Sequence, residues 1–437
     1  MSRSESPDLG GMSAETMSSA QRRRAVAAAT IGNALEWYDF IVYSFFAATI
    51  GKLFFASQDP TIQVLLGFGT FGVGFFMRPL GAIVLGVYGD RAGRRASLTV
   101  TILLMMVGTA IITFAPTYAS IGLAAPLLIV LARLIQGFSA GGEFAGATSF
   151  LSEYSLNKKR GQYVSWQQSS QFMASLLGAF IGSVVTKNSS PEFMLDWGWR
   201  IPFAVGLLIG PIGFYIRNRL DDTPAFKANR HRTPKSPLRE AITHHWRFVI
   251  GGFGMIVYGT VSTYVLVLFL PTYATRQFGM ASGDALAASA LMSALLVVLC
   301  VLAGTLSDRI GRRPMLLTSS IGMIILVYPL LRFFASAPSF TNLLLIETVF
   351  AILIAGFTAP APAMLAELFP TTVRNTAVAL SYNFAVTIFG GFGPFIVAWL
   401  IQSTGDVLAP GYYVLAAAVI STVAVWPLPD RTGQPLA

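Results

Sequence analysis

Long apolar runs separated by short polar breaks dominate the chain. Twelve of them lie near residues 26–50, 62–88, 97–115, 122–150, 163–185, 200–217, 248–274, 284–306, 315–334, 342–366, 376–402 and 411–428. An α-helix needs ~20 such residues to cross a ~30 Å hydrocarbon core. The ~10-residue alternation of a membrane β-barrel is missing. The pattern predicts an all-α membrane protein with twelve transmembrane helices, embedded in a lipid bilayer. Residues 1–21 are polar and Ser/Met-rich, which predicts a disordered tail. The apolar run after Arg22–Arg24 is too long for a signal peptide and contains two acids, so it reads as a retained first helix.

Composition agrees. The chain has 437 residues, of which 54% are hydrophobic and 11% charged, against about 25% charged in soluble domains. Its net charge of +10 would suggest nucleic acid in a soluble protein, but the positions of the charges decide otherwise. Of 30 Lys and Arg residues, 23 fall on one set of alternate connections, 5 on the other and 2 inside spans. The first set is therefore cytoplasmic, with both termini, and nucleic acid is not expected as a partner. Cys300 is the single cysteine, and the three histidines, His231, His244 and His245, all lie between spans. Neither a metal-spaced cluster nor a nucleophile–base set is visible, so no enzyme, metal or cofactor is expected. A membrane sensor would need a soluble output domain, and no segment supplies one.

The chain repeats itself. Gly86-Val-Tyr-Gly-Asp90-Arg91-Ala-Gly93-Arg94-Arg95 returns as Gly304-Thr-Leu-Ser-Asp308-Arg309-Ile-Gly311-Arg312-Arg313. A weaker echo joins "LSEYSLNKKRG" (151–161) to "LAELFPTTVRN" (365–375). Both halves start on the same side, as parallel repeats do. The expected organisation is a six-helix bundle over 22–218, a cytoplasmic linker over 219–246, a second six-helix bundle over 247–430 and a tail over 431–437. Gly93 and Gly311 permit tight turns. Asp90 and Asp308 can accept N–H bonds at a neighbouring helix start, and the arginines can pair with acids such as Glu153 and Glu367. Two copies at half-chain spacing suggest a paired gate built from Asp90, Arg91, Arg94, Asp308, Arg309 and Arg312. The plainer reading is a loop that only sets topology.

The repeated loop motif, the twelve spans and Arg133-Leu-Ile-Gln136-Gly137 resemble the major facilitator superfamily. "GNALEWYDF", "RLIQGFSAGGEFAGA", "WGWRIPF" and "IFGGFGPF" resemble its metabolite:proton symporters, which carry organic acids and zwitterionic osmolytes. The resemblance spans about residues 22–430. "SWQQSSQ" and "LSDRIGRR" look most like the citrate/tricarballylate carriers, whereas "EWYDF" follows the wider family. The resemblance implies a monomeric secondary transporter of the bacterial inner membrane that imports a carboxylate, citrate or a related acid first, together with protons. α-Ketoglutarate, a shikimate-like acid, or a zwitterion such as proline or betaine are the alternatives.

Ionisable groups inside spans mark function by default. The first half holds five: Glu36, Asp39, Arg78, Arg133 and Glu143. Asn33, Glu36, Asp39 and Tyr43 share one helical arc. Arg78 lies on a stripe with Gly67, Gly74 and Gly81, and Arg133 on one with Gln136 and Glu143. Gln167, Gln168 and Gln171 put three amides on the fifth helix, while the second half offers Tyr258, Ser262, Tyr264 and Asn383. Three acids against two arginines leave one surplus negative charge, so one carboxyl should carry a proton part of the time. The expectation is that Asp39, Glu36 or Glu143 takes the proton. Its protonation would release Arg78 or Arg133 to grip a substrate carboxylate, with the named amides, Asn33, Tyr43, Gln136, Tyr258 and Asn383 completing the site. The other reading of the five charges is a permanent ion-pair network that fixes helix register. Glu347 and Arg332 sit near helix ends, where snorkelling explains them.

Overall fold

The computed structural model describes residues 19–92, 94–218 and 237–436. Among them the chain forms twelve long helical segments: α1 (Ser19–Phe54), α2 (Pro60–Ala92), α3 (Arg94–Phe114), α4 (Ala124–Glu153), α5 (Asn157–Lys187), α6 (Ile201–Asn218), α7 (Trp246–Phe278), α8 (Ser282–Ile310), α9 (Arg312–Ser336), α10 (Phe340–Glu367), α11 (Arg374–Thr404) and α12 (Ala409–Val425). Residues 1–18 of the expected tail and 219–236 of the expected linker lie outside the described residues. Ser19 to Gln21 already belong to α1, and Pro237–His244 forms a short helix that buries Ala241 and packs on α7 and α11. Many large apolar side chains, Leu127, Leu208 and Val423 among them, are exposed on the outer surface. That surface would be a liability in water and suits acyl chains.

Within the first half, α1 packs on α2, α5 and α6, α2 on α4, and α3 on α4 and α6. Within the second, α7 packs on α11 and α12, α8 on α10, and α9 on α10 and α12. Two seams join the halves: α5 lies along α8, the most extensive contact in the molecule, and α2 lies along α11. The glycine stripe of α2 explains its close approach to α4. A methyl at Gly137 would fall on the Gly74 carbonyl and one at Gly81 on the Phe138 carbonyl, so small residues set this spacing.

Four helices are irregular where they face the centre. α4 breaks at Gly141–Gly142 and α10 at Ala359–Pro360, ahead of Ala361. α7 widens into π turns over Thr263–Phe269, and α11 over Val386–Gly391. Proline and π turns are the ordinary causes of such breaks, and they free backbone groups where a ligand can use them.

Candidate transport site, proton site and gate

Asp39, Glu36 and Glu143 line one cavity inside the first half, between α1, α3, α4 and α6. Its empty volume is about 490 Å³, counting space open to the outside. Asp39 is only 5% exposed. A side chain on Gly206 of α6 would strike its Oδ1, so that glycine makes room for the carboxyl. The Thr109 hydroxyl of α3 donates a short hydrogen bond to Asp39 Oδ2. Gln136 Nε2 donates to Thr109 Oγ1 at 3.1 Å, and Arg133 Nη1 donates to Gln136 Oε1 at 2.7 Å. Acid and arginine are thus connected through a hydroxyl and an amide, not by a direct ion pair. The sequence reading missed Thr109; a threonine beside Gly108 is its one signal, and Thr99, Thr101 and Thr113 of the same span dilute it.

The arginines lie against aromatic rings of α1 and α2. Arg133 is fully buried and also donates to the Phe71 carbonyl at 3.3 Å. Its guanidinium sits 4.4 Å from the Tyr43 ring centre and 4.6 Å from that of Phe40. Arg78 lies 4.3 Å from the ring centre of Phe75, 4.7 Å from that of Phe40 and 5.2 Å from that of Trp37. Aromatic faces attract such cations.

Beside them a second cavity of about 410 Å³ lies between the halves. Trp37, Phe144, Tyr264, Phe357 and Tyr382 supply five aromatic walls, and Gln168 and Gln171 supply amides. No arginine and no acid is in its lining. Phe144 of α4 and Tyr382 of α11 stack face to face across the halves.

Other residues singled out in the sequence bond elsewhere. Asn33 donates to the Gln167 carbonyl at 3.0 Å and to Ser170 at 2.8 Å, while Gln167 bonds Thr148 and the Phe144 carbonyl. These bonds knit the first half together. Tyr258 is buried within the second half against Phe357, with ring centres 4.6 Å apart. Asn383 crosses the halves, donating to the Gly141 carbonyl at the break in α4 at 2.9 Å. Glu347 does not snorkel: it is 1% exposed, because α10 turns that face onto α8 instead of outward. Arg332 is exposed, as a snorkelling side chain is.

At the arginine-rich face, ion pairs cross between the halves. Arg160 meets Glu367 at 2.8 Å, and Arg374 meets Glu153 at 3.3 Å. Arg312 pairs with Asp308 at 2.6 Å and reaches Glu367 at 3.5 Å. Both Asp308 oxygens accept backbone N–H bonds at the start of α5, from Gly161 and Gln162 at 2.8 Å each, where the helix dipole favours a negative charge. Gly311, at φ 102°, makes the turn that places Asp308 and Arg312 together, a conformation that side chains disfavour. Arg309 is exposed. The side chains of Asp90, Arg91 and Arg94 lie outside the described residues. On the opposite face, Lys187 and Asp284 form a half-exposed pair at 2.7 Å.

A family model described as sugar (and other) transporter matches residues 25–237 and 229–436. The chain is 36% identical over 429 residues to a proline/betaine transporter of Salmonella typhimurium, covering 95% of this chain and 85% of that one. It is also 36% identical over 400 residues to a citrate-proton symporter of Salmonella typhi, covering 92% of each. Among solved structures, the proton:xylose symporter XylE bound to 6-bromo-6-deoxy-D-glucose superposes with a TM-score of 0.80 at 18% identity, over 96% of this chain and 98% of that one.

Proposed function

Because the chain belongs to the sugar (and other) transporter family of the major facilitator superfamily, we propose that it imports a small carboxylate-bearing metabolite with protons, by alternating access, across a bacterial inner membrane. Relatives named for citrate and for proline/betaine are equally similar, so their names do not choose a substrate. The lining of the cavity between the halves supports a zwitterion ahead of citrate. Five aromatic rings suit an ammonium group. Arg78, 5.2 Å from the ring centre of the Trp37 that lines this cavity, suits one carboxylate. This reverses the order expected from the sequence, which placed citrate first on the strength of two arginines. A tri- or dicarboxylate is the second reading, and one observation favours it: Arg78 and Arg133 both lie within 5 Å of the Phe40 ring centre, at 4.7 and 4.6 Å.

The chain from Asp39 to Arg133 supplies a coupling rule. A proton on Asp39 Oδ2 turns that oxygen from acceptor to donor. The Thr109 hydroxyl must then donate elsewhere; Gln136 now turns its Nε2 to that hydroxyl, and a flip of its amide would bring Oε1 to Thr109 and take it from Arg133. Protonation therefore loosens Arg133, and positive charge becomes available to a substrate carboxylate. Release of substrate restores the bond and expels the proton. The crossed ion pairs then act as the cytoplasmic gate, closed in this arrangement.

Uptake into proteoliposomes of labelled glycine betaine, L-proline, citrate and α-ketoglutarate, with and without an inward proton gradient, tests both parts. We expect gradient-stimulated uptake of betaine or proline, weakly competed by citrate. Uptake of citrate alone would favour the second reading. Uptake indifferent to the gradient for all four would remove the proton from the mechanism.

A further inference from the structure

The second half holds a buried acid that neither the transport cavity nor the gate employs. Glu347 lies seven residues into α10, about 10 Å along its axis. Its Oε1 is 3.5 Å from Ser289 Oγ of α8, at the outer limit of a hydrogen bond, and Oε2 has no partner among the described residues. One turn along α8, Ser293 Oγ donates to Ser175 Oγ of α5 at 2.9 Å. Ser175, Ser289 and Ser293 are all buried. A strip of hydroxyls therefore runs from the carboxyl to the α5–α8 seam between the halves.

Ionisable groups at the same depth on the helices packed around α10 are engaged elsewhere. Tyr273 of α7 donates to the Val407 carbonyl, and Arg276 is exposed. Asp284 of α8 pairs with Lys187. On α9, Tyr328 stacks on Tyr412, and Arg332 is exposed. No cation pairs with Glu347 among the described residues. An ionised carboxyl would face an apolar interior uncompensated, whereas the neutral acid needs one acceptor for its O–H, and Ser289 offers it.

We propose that Glu347 is a second proton-binding site, carried by the second half, which exchanges its proton along the Ser289–Ser293–Ser175 strip when α5 and α8 part. Carboxylate and proton combine to the acid in one arrangement, and water at the opened seam takes the proton back in another. The site's part in transport rests on the proton-coupled reading; its occupancy by a proton does not.

Infrared spectroscopy of the purified protein, in an Asp39→Asn background to silence the acid bonded to Thr109, tests occupancy. We expect a protonated-carboxyl band that Glu347→Gln removes. Should that variant fail to fold, Ser289→Ala must displace the band. A band unchanged by both substitutions overturns the proposal. Reversal-potential measurements in proteoliposomes, with Asp39 intact, then test exchange. Glu347→Gln should lower the proton-to-substrate ratio by a single proton while counterflow persists, and an unchanged ratio overturns exchange at this site. If the wild type shows no gradient-driven uptake, the transport reading fails, while the infrared result still decides whether Glu347 holds a proton.

Discussion

Asp39 faces a hydroxyl where a cation would be the simpler partner, and that choice makes it suited to exchange. A buried ion pair holds its charges permanently, whereas a threonine can donate to a carboxylate or accept from a carboxylic acid. Asp39→Asn should retain substrate binding and counterflow but lose uptake driven by a pH gradient. Glu36→Gln, made separately, decides between the two acids in the same pair of assays. Thr109→Val keeps the volume and deletes the hydroxyl. It leaves Asp39 Oδ2 and Gln136 Nε2 short of a partner at a cost of about 1–3 kcal/mol. Gradient-driven uptake should fall about tenfold or more with counterflow reduced less; equal losses in both assays would demote the threonine to a packing residue. The acids were legible in the sequence because charge inside an apolar span is conspicuous. Thr109 was not, because a threonine can satisfy itself on its own helix and only its contact across α1 and α3 gives it a task. Glu347 was misread because its count along the helix gave its depth but not its face. The two arginines were found, yet the five rings of the central cavity come from α1, α4, α7, α10 and α11, and no single-helix pattern brings them together.

The helices themselves were readable from apolar run length, since the bilayer fixes how long a spanning element must be. The breaks were only partly so. Pro360 stands at the one in α10, where a proline ordinarily breaks or bends a helix, whereas the π turns of α7 and α11 carry no signal in "TYVLVLF" and "VTIFGG" that a regular helix would exclude. The crossed ion pairs were half visible. Glu153 and Arg160 in the echo segments recur as Glu367 and Arg374, both shifted by 214 positions (367 − 153 and 374 − 160). What the spacing did not tell is that each acid bonds the other copy's arginine. Glu367→Gln removes the shared partner of Arg160 and Arg312, two buried arginines, and should disfavour the closed gate by about 3–5 kcal/mol. With Cys300→Ser as background and Gln168→Cys as reporter, labelling by an impermeant maleimide from the cytoplasmic side should rise. Unchanged labelling would mean that the pairs do not hold the gate.

Across the whole molecule, the distribution of basic residues sets an orientation that reporter fusions can read. Fusions at the two ends of the chain should both report the cytoplasm, and one at the Lys187–Asp284 face the opposite side. An inverted result would reverse the assignment of the gate. The crossed pairs carry one more implication, and it concerns descent. Each half contributes one glutamate and one arginine, and each reaches for its opposite on the other half. Two identical copies of such a half, facing each other about a two-fold axis, would satisfy both bonds with the same surface used twice. The crossed pairs are therefore self-complementary: a half-length chain that carried them would need no partner but a second copy of itself to form both bonds. Fusing two such copies into one chain would free these positions to diverge in matched pairs.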